Sequence, residues 1–555
     1  MTPPSDLEPA QQPASPSDAS ATELHREVLR RRTFAIISHP DAGKTTLTEK
    51  LLLYAGAIEL AGAVRGRKAR RHATSDWMEL EQQRGISITS AALEFELQGR
   101  RMSLIDTPGH KDFSEDTYRA LIAADSVVMV IDAANGVEEQ TRKLFEVCRR
   151  HRLPILTFIN KFDRPARDPL ELMDDLESTL GIAAAPVNWP IGNAERFRGV
   201  YDIRQQTLLR YEREAQGQYR APVDVSSLDD PEARELIGVT EYAHFRESLD
   251  VIRAAGTAFD EAEYRAGRQT PVFFGSALTN FGVEPFLQAL VDLAPPPQPR
   301  ASDSGIVSPT DDRFSGFVFK IQANMDARHR DRVAFVRVCS GRFAKDMVLS
   351  NSRVGNSLRA SRAYRFFGRE RETIEFAYAG DIIGLVNPGH FAIGDTLYDP
   401  QRGEPLRFHE LPRFPAEHFG RVRLMDTRHK QFDDGLRQLE EEGLMQVFYR
   451  AGGRREPIVG VVGALQFDVI VSRLRIEYGV TATIEPAPYT AARWLVNPAQ
   501  AIPSGVSTTV VEDRRGVRVL LFESEWQLNY FAGQHPEVVL QTESGNWIIG
   551  NRVID

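Results

Sequence analysis

Ser38-His39-Pro40-Asp41-Ala42-Gly43-Lys44-Thr45-Thr46 lies between two runs of different periodicity. Ahead of it, Phe34-Ala35-Ile36-Ile37 is continuously apolar, as a strand covered on both faces is. Behind it, Leu47 to Leu53 carries apolar residues at helical spacing. Strand, loop, Gly-Lys-Thr and helix form the context of a phosphate-binding loop. Backbone N–H groups and the positive end of the following helix then face a polyphosphate. Lys44 is placed to reach its terminal phosphates and the Thr45 hydroxyl to hold Mg²⁺. Ser38 stands where the simple motif has its first glycine, and a lone Gly-Lys-Thr also fits a surface turn. The loop alone does not decide between the two.

Met102-Ser103-Leu104-Ile105 is a second apolar strand, and it ends on Asp106-Thr107-Pro108-Gly109-His110. An acidic residue at such a strand end is where a phosphate-binding loop finds its Mg²⁺-directed carboxylate. Pro108-Gly109 lets a backbone N–H approach a γ-phosphate closely. Next come a nearly all-apolar strand, Ser126 to Asp132, a helical stretch from Thr141 to Arg152, and a strand from Pro154 to Ile159 that ends on Asn160-Lys161-Phe162-Asp163. A carboxylate at Asp163 can accept from both N1–H and the exocyclic amine of guanine. Adenine has neither donor on that edge and would leave the carboxylate unpaired. Alone, the string reads equally as a polar turn; third in order after the two phosphate motifs, it reads as guanine recognition. Pro271-Val272-Phe273-Phe274 leads to Gly275-Ser276-Ala277-Leu278, whose backbone amides would close over the base oxygen. Together these predict an α/β P-loop GTPase domain, a doubly wound, mostly parallel sheet with its ligand at the carboxyl ends of the strands.

The chain has 555 residues, 42% hydrophobic and 26% charged, an ordinary globular composition with room for several cores. No apolar run approaches the roughly 18 residues of a membrane span, and no secretory signal opens the chain. The two cysteines, Cys148 and Cys339, read as buried thiols of a reducing cytoplasm. A net charge of −9 confines any nucleic-acid contact to local basic patches. One candidate is Arg65-Gly66-Arg67-Lys68-Ala69-Arg70-Arg71, either a solvated loop or a contact to phosphate backbone.

With these residues in hand, the chain resembles the translational GTPases, and within them the family of bacterial peptide chain release factor three. The resemblance rests on Ser38 to Thr46, Gln83-Arg84-Gly85-Ile86-Ser87-Ile88-Thr89, Asp106 to Ser114, Asn160 to Arg164 and Gly275 to Leu278. It continues through Lys320 to Asp326, His329 to Arg332, Gly435 to Gly443, and Gly463-Ala464-Leu465-Gln466-Phe467-Asp468-Val469, and so covers nearly everything after residue 30. It implies a cytoplasmic, monomeric GTPase that uses GTP and Mg²⁺ on the ribosome and promotes departure of the codon-reading release factors after peptide release, with no DNA and no membrane partner. It also implies that Ser87, where the superfamily has Thr, closes over Mg²⁺ together with Thr45 and Asp106. By the same resemblance, Pro40 and Ile86 hold the water-orienting His110 away from the nucleotide until the ribosome acts. The rival readings are an elongation factor G-like translocase or ribosome-protection GTPase and a GTP-dependent binding switch with incidental hydrolysis; Asn160 and Asp163 disfavour an ATP-driven enzyme.

The expected organisation is a disordered extension over 1–24, the GTPase domain over 25–294 with an insertion near 190–265, and a Pro-rich linker over 295–312. A β-barrel domain over 313–405 and an α+β domain over 406–555 complete the chain. Arg353, Arg359, Arg362, Arg365, Arg369 and Arg371 make the barrel locally basic. Phe432, Leu436, Leu439, Gly443 and Val447 are expected to share one helical face, directed to the core.

Overall fold

Phe34, Ala35, Ile36 and Ile37 are fully buried because their strand has neighbours on both edges and helices over both faces. The computed structural model describes residues 16–56, 81, 87–210, 224–227, 234–235, 237–255, 257–323, 331–367, 370–387, 389–408, 411, 414–450, 456–497, 502, 508–542, 547–549 and 552–554. The basic loop at 65–71, residues 83–86 of the Gln83–Thr89 motif, the 324–330 stretch and Arg369 lie outside them. The central strands are β1 (Arg31–Ser38), β2 (Ala91–Leu97), β3 (Arg100–Asp106), β4 (Ser126–Asp132) and β5 (Ile155–Asn160). They lie in the order β2-β3-β1-β4-β5, followed by Gln269–Phe274 and Ala183–Pro186. Every pairing in that run is parallel except β2 with β3. Parallel pairing brings the carboxyl ends of β1, β3, β5 and Gln269–Phe274 to one rim, and each of those strands ends on one of the predicted motifs.

The predicted insertion contains a four-stranded antiparallel sheet from Asn188 to Ser227 and the helix Val239–Ala255. Tyr201 of that sheet meets Phe245 of the helix edge-on. The barrel runs from Ser315 to Tyr398 around Phe314, Val318, Ile321, Val336, Phe343 and Leu349. Its strand Ala363–Phe367 pairs with β2 at Phe367 and Leu93, so one sheet runs through both domains. A ten-stranded sheet with helices His429–Glu441, Leu465–Tyr478 and Glu525–Gln534 forms the C-terminal domain. None of the described helices is long and apolar enough to cross a membrane.

Four expectations are corrected. A helix, Pro16–Arg30, begins inside the extension expected to be disordered. Its Leu24 and Val28 are buried against Tyr378 and Ala379 of the barrel, and the Tyr378 hydroxyl donates to Glu23. The linker contains a hairpin, Arg300–Ser302 with Gly305–Val307, docked through Arg300 on the Ile122 carbonyl at 2.7 Å. The stripe beginning at Phe432 does not stay helical: the helix ends at Glu441, and Val447 reaches the same core from the strand Gln446–Arg450. The barrel arginines are largely engaged, Arg353 with Asp395, Arg371 with Asp331 and Arg365 with Glu94, while Arg359 and Arg362 are exposed.

Buried charges join the GTPase domain to the barrel. Arg31 of β1 meets Asp381 at 2.7 Å, and Arg337 pairs with Asp125 with both side chains about 1% exposed. Burial, reinforced by the facing Asp381 and opposed by Arg101, pushes the Glu94 carboxyl up to about 7. Removing one partner of a buried pair strands the other charge in a poor dielectric and costs about 3–5 kcal/mol. Asp125→Ala is therefore expected to lower the urea midpoint of the GTPase–barrel unit by that equivalent. An unshifted midpoint would show that Arg337 is satisfied without it.

Candidate nucleotide-binding site

The loop between β1 and the helix Lys44–Tyr54 turns through left-handed backbone at Asp41 (φ 65°) and Gly43 (φ 96°). At Gly43 a glycine is required twice over. A Cβ there would also lie 2.3 Å from Asn160 Nδ2. Asn160 ties two loops together: its Nδ2 donates to the Ala42 carbonyl at 2.9 Å, and its Oδ1 accepts from the Ala277 amide at 2.8 Å. Both bonds are buried. The amide group of Asn supplies a donor and an acceptor on one planar unit, which neither Asp nor a hydrophobe can do.

At the phosphate end, Lys44 Nζ lies 2.5 Å from Asp106 Oδ1, and both side chains are buried. Asp106 Oδ2 is buried and has no hydrogen-bond partner. A carboxylate oxygen in that state is costly unless a cation or water meets it. That unpaired oxygen fits a divalent cation at Asp106, for which Thr45 is the hydroxyl expected from the sequence. Thr107 Oγ1 donates to the Ile36 carbonyl at 2.5 Å, which locks the end of β3 against β1. Gly109 lies over the loop: a Cβ on it would sit 3.6 Å from Pro40 Cα. His39 Nε2 is 3.2 Å from Glu138 Oε2.

At the base end, Asp163 Oδ1 accepts from Ser276 Oγ at 2.6 Å. Lys161 has left-handed backbone (φ 75°), and its Nζ is 2.7 Å from Asp132 Oδ2 at the end of β4. Phe162 is buried and its amide donates to the Gly275 carbonyl. Of the four amides expected over the base, those of Gly275, Ser276 and Ala277 are engaged, by the Ile159 and Phe281 carbonyls and by Asn160 Oδ1, and Leu278 stands exposed. Ser38 and Ala42 are buried, Thr46 lies in the first turn of the helix Lys44–Tyr54, and Pro108 belongs to the loop after β3. The predicted residues thus form two neighbouring loop clusters on the rim, bridged by Asn160.

His110 is partly exposed and caps the short turn Lys111–Phe113. Its Nδ1 accepts from the Asp112 amide at 3.2 Å and lies 3.3 Å from Asp112 Oδ1. Ser87 is partly buried, beside Ile88 and Thr89, whose amides donate to Glu81 Oε1 at 2.9 and 3.1 Å. Ile86, the other half of the expected apolar pair, is not among the described residues. Sequence reasoning missed Asp132, Asp112 and Glu81. Only Asp132 had a usable signal, an acidic residue closing an apolar strand as Asp106 does.

Fold and site define a P-loop GTPase, a guanine-nucleotide-binding enzyme. Residues 29–296 match the family described as Elongation factor Tu GTP binding domain, and residues 313–400 match Elongation factor G domain 2. Residues 408–532 match Class II release factor RF3, C-terminal domain, which a translocase reading does not predict. Peptide chain release factor 3 of Cyanothece sp. is 53% identical over 93% of this chain and 96% of its own length. The protein of the same name from Gloeobacter violaceus is 52% identical over 93% and 98%. A crystal structure from Thermus thermophilus, 24% identical, covers 87% of this chain and 72% of its own with a TM-score of 0.66, a likeness of fold. The chain belongs to the peptide chain release factor 3 family, GTPases of translation termination.

Two substitutions test the base end. Gly43→Ala is expected to displace Asn160 and break its two bonds, weakening GDP binding by roughly 10- to 100-fold at ~1 kcal/mol or more per bond. A fluorescence titration with labelled GDP reads this directly. On the guanine-recognition reading, Asp163→Asn replaces the acceptor for the guanine amine by a donor. It should lower GTP affinity and raise that for xanthosine triphosphate, which carries a carbonyl at that position. Wild-type preference in a competition titration would remove Asp163 from base recognition.

Proposed function

We propose that this protein hydrolyses GTP slowly alone and rapidly on the ribosome, and that the cycle drives the codon-reading release factors off after peptide release, in the cytoplasm. The observation that carries the hydrolytic part is the position of His110. It follows directly on Gly109, which packs over the phosphate loop at Pro40. A γ-phosphate accommodated under Gly109 has the imidazole as its neighbour.

In this reading Lys44 exchanges Asp106 for the β- and γ-phosphates, and the loop amides from Asp41 to Thr46 face the phosphate oxygens. Thr45, Asp106 and Ser87 would hold Mg²⁺, Asp106 through water. The ion supplies charge neutralisation on the phosphates. The freed Asp106 carboxylate keeps its place because Thr107 is anchored on β1. In the tautomer whose Nδ1 accepts the Asp112 amide, the ring N–H is the one at Nε2. A rotation away from that contact frees Nδ1 to accept from the attacking water. Phosphoryl transfer depends on such positioning and on charge stabilisation more than on a strong base. Termination rather than translocation is supported by the match of the C-terminal region.

His110→Ala is expected to keep GTP and ribosome binding and to lose about 10²-fold or more of the ribosome-stimulated rate. Single-turnover hydrolysis at saturating ribosomes measures it. A rate within a few-fold of wild type would take the histidine out of the mechanism. A recycling assay on termination complexes, scored for departure of the codon-reading factor with GTP, tests the biological half.

A further inference from the structure

Gly463-Ala464-Leu465-Gln466-Phe467-Asp468-Val469 stood out in the sequence and has no part in the nucleotide site. In the structure its first residues seat on Asp112, two residues from His110. Asp112 is 6% exposed, and its Oδ2 accepts from the Leu465 amide at 2.8 Å. Leu465 opens the helix Leu465–Tyr478, whose own N-cap residue, Ala464, provides no side-chain cap. A residue of the GTPase domain thus caps a helix of the C-terminal domain, at the helix end where a carboxylate is favoured. The fit is tight: a Cβ on Gly463 would lie 2.1 Å from Asp112 Cγ and 2.6 Å from its Cα. Gln466 stiffens this turn, accepting from the Gly463 amide and donating to the Leu444 carbonyl, each at 2.9 Å.

The contact extends to the residues on either side. Ile88, Phe113 and Val469 form one buried apolar cluster, with Leu444 and Leu465 against it. Ile88 belongs to the segment that carries Ser87, Phe113 to the turn capped by His110, and Val469 to the C-terminal helix. The segments expected to sense the γ-phosphate and the C-terminal domain therefore share one core. Asp112 itself faces both ways. Its carboxylate holds the helix, and its backbone N–H holds His110 Nδ1.

We propose that Asp112 is a positioning residue for GTP hydrolysis: while the Gly463–Leu465 turn is docked on it, the Lys111–Phe113 turn keeps His110 in its resting orientation, and withdrawal of the C-terminal domain releases the ring toward the nucleotide. This rests on the catalytic reading of His110. The C-terminal domain is then a brake on hydrolysis, and whatever displaces it from Asp112 starts the reaction.

The test uses the full-length protein without ribosomes. Gly463→Ala breaks the contact by adding volume, and Asp112→Ala breaks it by removing the acceptor, so misfolding of one leaves the other informative. Both are expected to raise single-turnover GTP hydrolysis by roughly three- to thirty-fold, the change that a lost N-cap corresponds to. Both should also speed hydrogen exchange in the peptide carrying Leu465. Asp112→Asn keeps an oxygen acceptor and should stay near wild type in both readouts. Adding His110→Ala to either variant should abolish the gain. Faster exchange without a faster reaction overturns the proposal, and so does unchanged exchange in both alanine variants. Failure of the underlying reading looks different: His110→Ala would then leave the ribosome-stimulated rate intact, whereas failure of the brake alone leaves that rate low and Gly463→Ala at the wild-type level.

Discussion

One carboxamide holds the candidate site together. Asn160 spans from the phosphate loop to the base loop with one donor and one acceptor, both buried, and Gly43 has no side chain because that carboxamide lies against it. Loops at a sheet rim have no ladder to fix them, so their relative placement comes from cross-links such as this. The parallel sheet supplies the coarse alignment. The ends of β1 and β5, separated only by β4, deliver the loops within side-chain reach, and Asn160 sets the final register between them.

The same economy appears between domains. Arg31, Arg337 and Lys320 are buried cations at the seam, and each finds at least one partner in the other domain: Asp381 for Arg31, Asp125 and Thr33 for Arg337, and the Ser90 carbonyl for Lys320. Burial pushes the Lys320 ammonium down, with Asp116 opposing. Pairs of this kind add little net stability over a well-packed apolar seam, but they tolerate only one alignment. Ser90 lies near the end of the segment that carries Ser87, and its amide donates to Asp116 at 2.5 Å. The barrel therefore grips the segment carrying Ser87 directly, and the C-terminal domain packs against both that segment and the turn at Asp112.

Much of the candidate site was legible in the sequence because its residues sit at or beyond the ends of apolar strands, where periodicity marks the boundary. Lys44, Asp106, Asn160 and Asp163 all announce themselves this way. The partners they use were not legible. Ser276 was expected to act through its backbone amide, and its hydroxyl bond to Asp163 shows only in the fold; Asp112 is one more acidic residue until Gly463 arrives from another domain. The helix Pro16–Arg30 hid behind its composition, since its Leu24 and Val28 gain their burial from a barrel strand far along the chain. The apolar stripe starting at Phe432 misled for a related reason. A strand entering the same core continues the pattern by coincidence of spacing.

The placement of Arg31 also bears on synthesis. Its counter-ion Asp381 lies 350 residues downstream. At roughly 5–20 residues per second, the nascent GTPase domain waits on the order of twenty seconds to a minute for that carboxylate to be translated. A buried guanidinium with no partner would burden the domain throughout that interval. Glu27, one helical turn upstream, already contacts Arg31 at 2.8 Å. The N-terminal helix thus brings the strand a first counter-charge, made before it, and the barrel adds a second when it emerges.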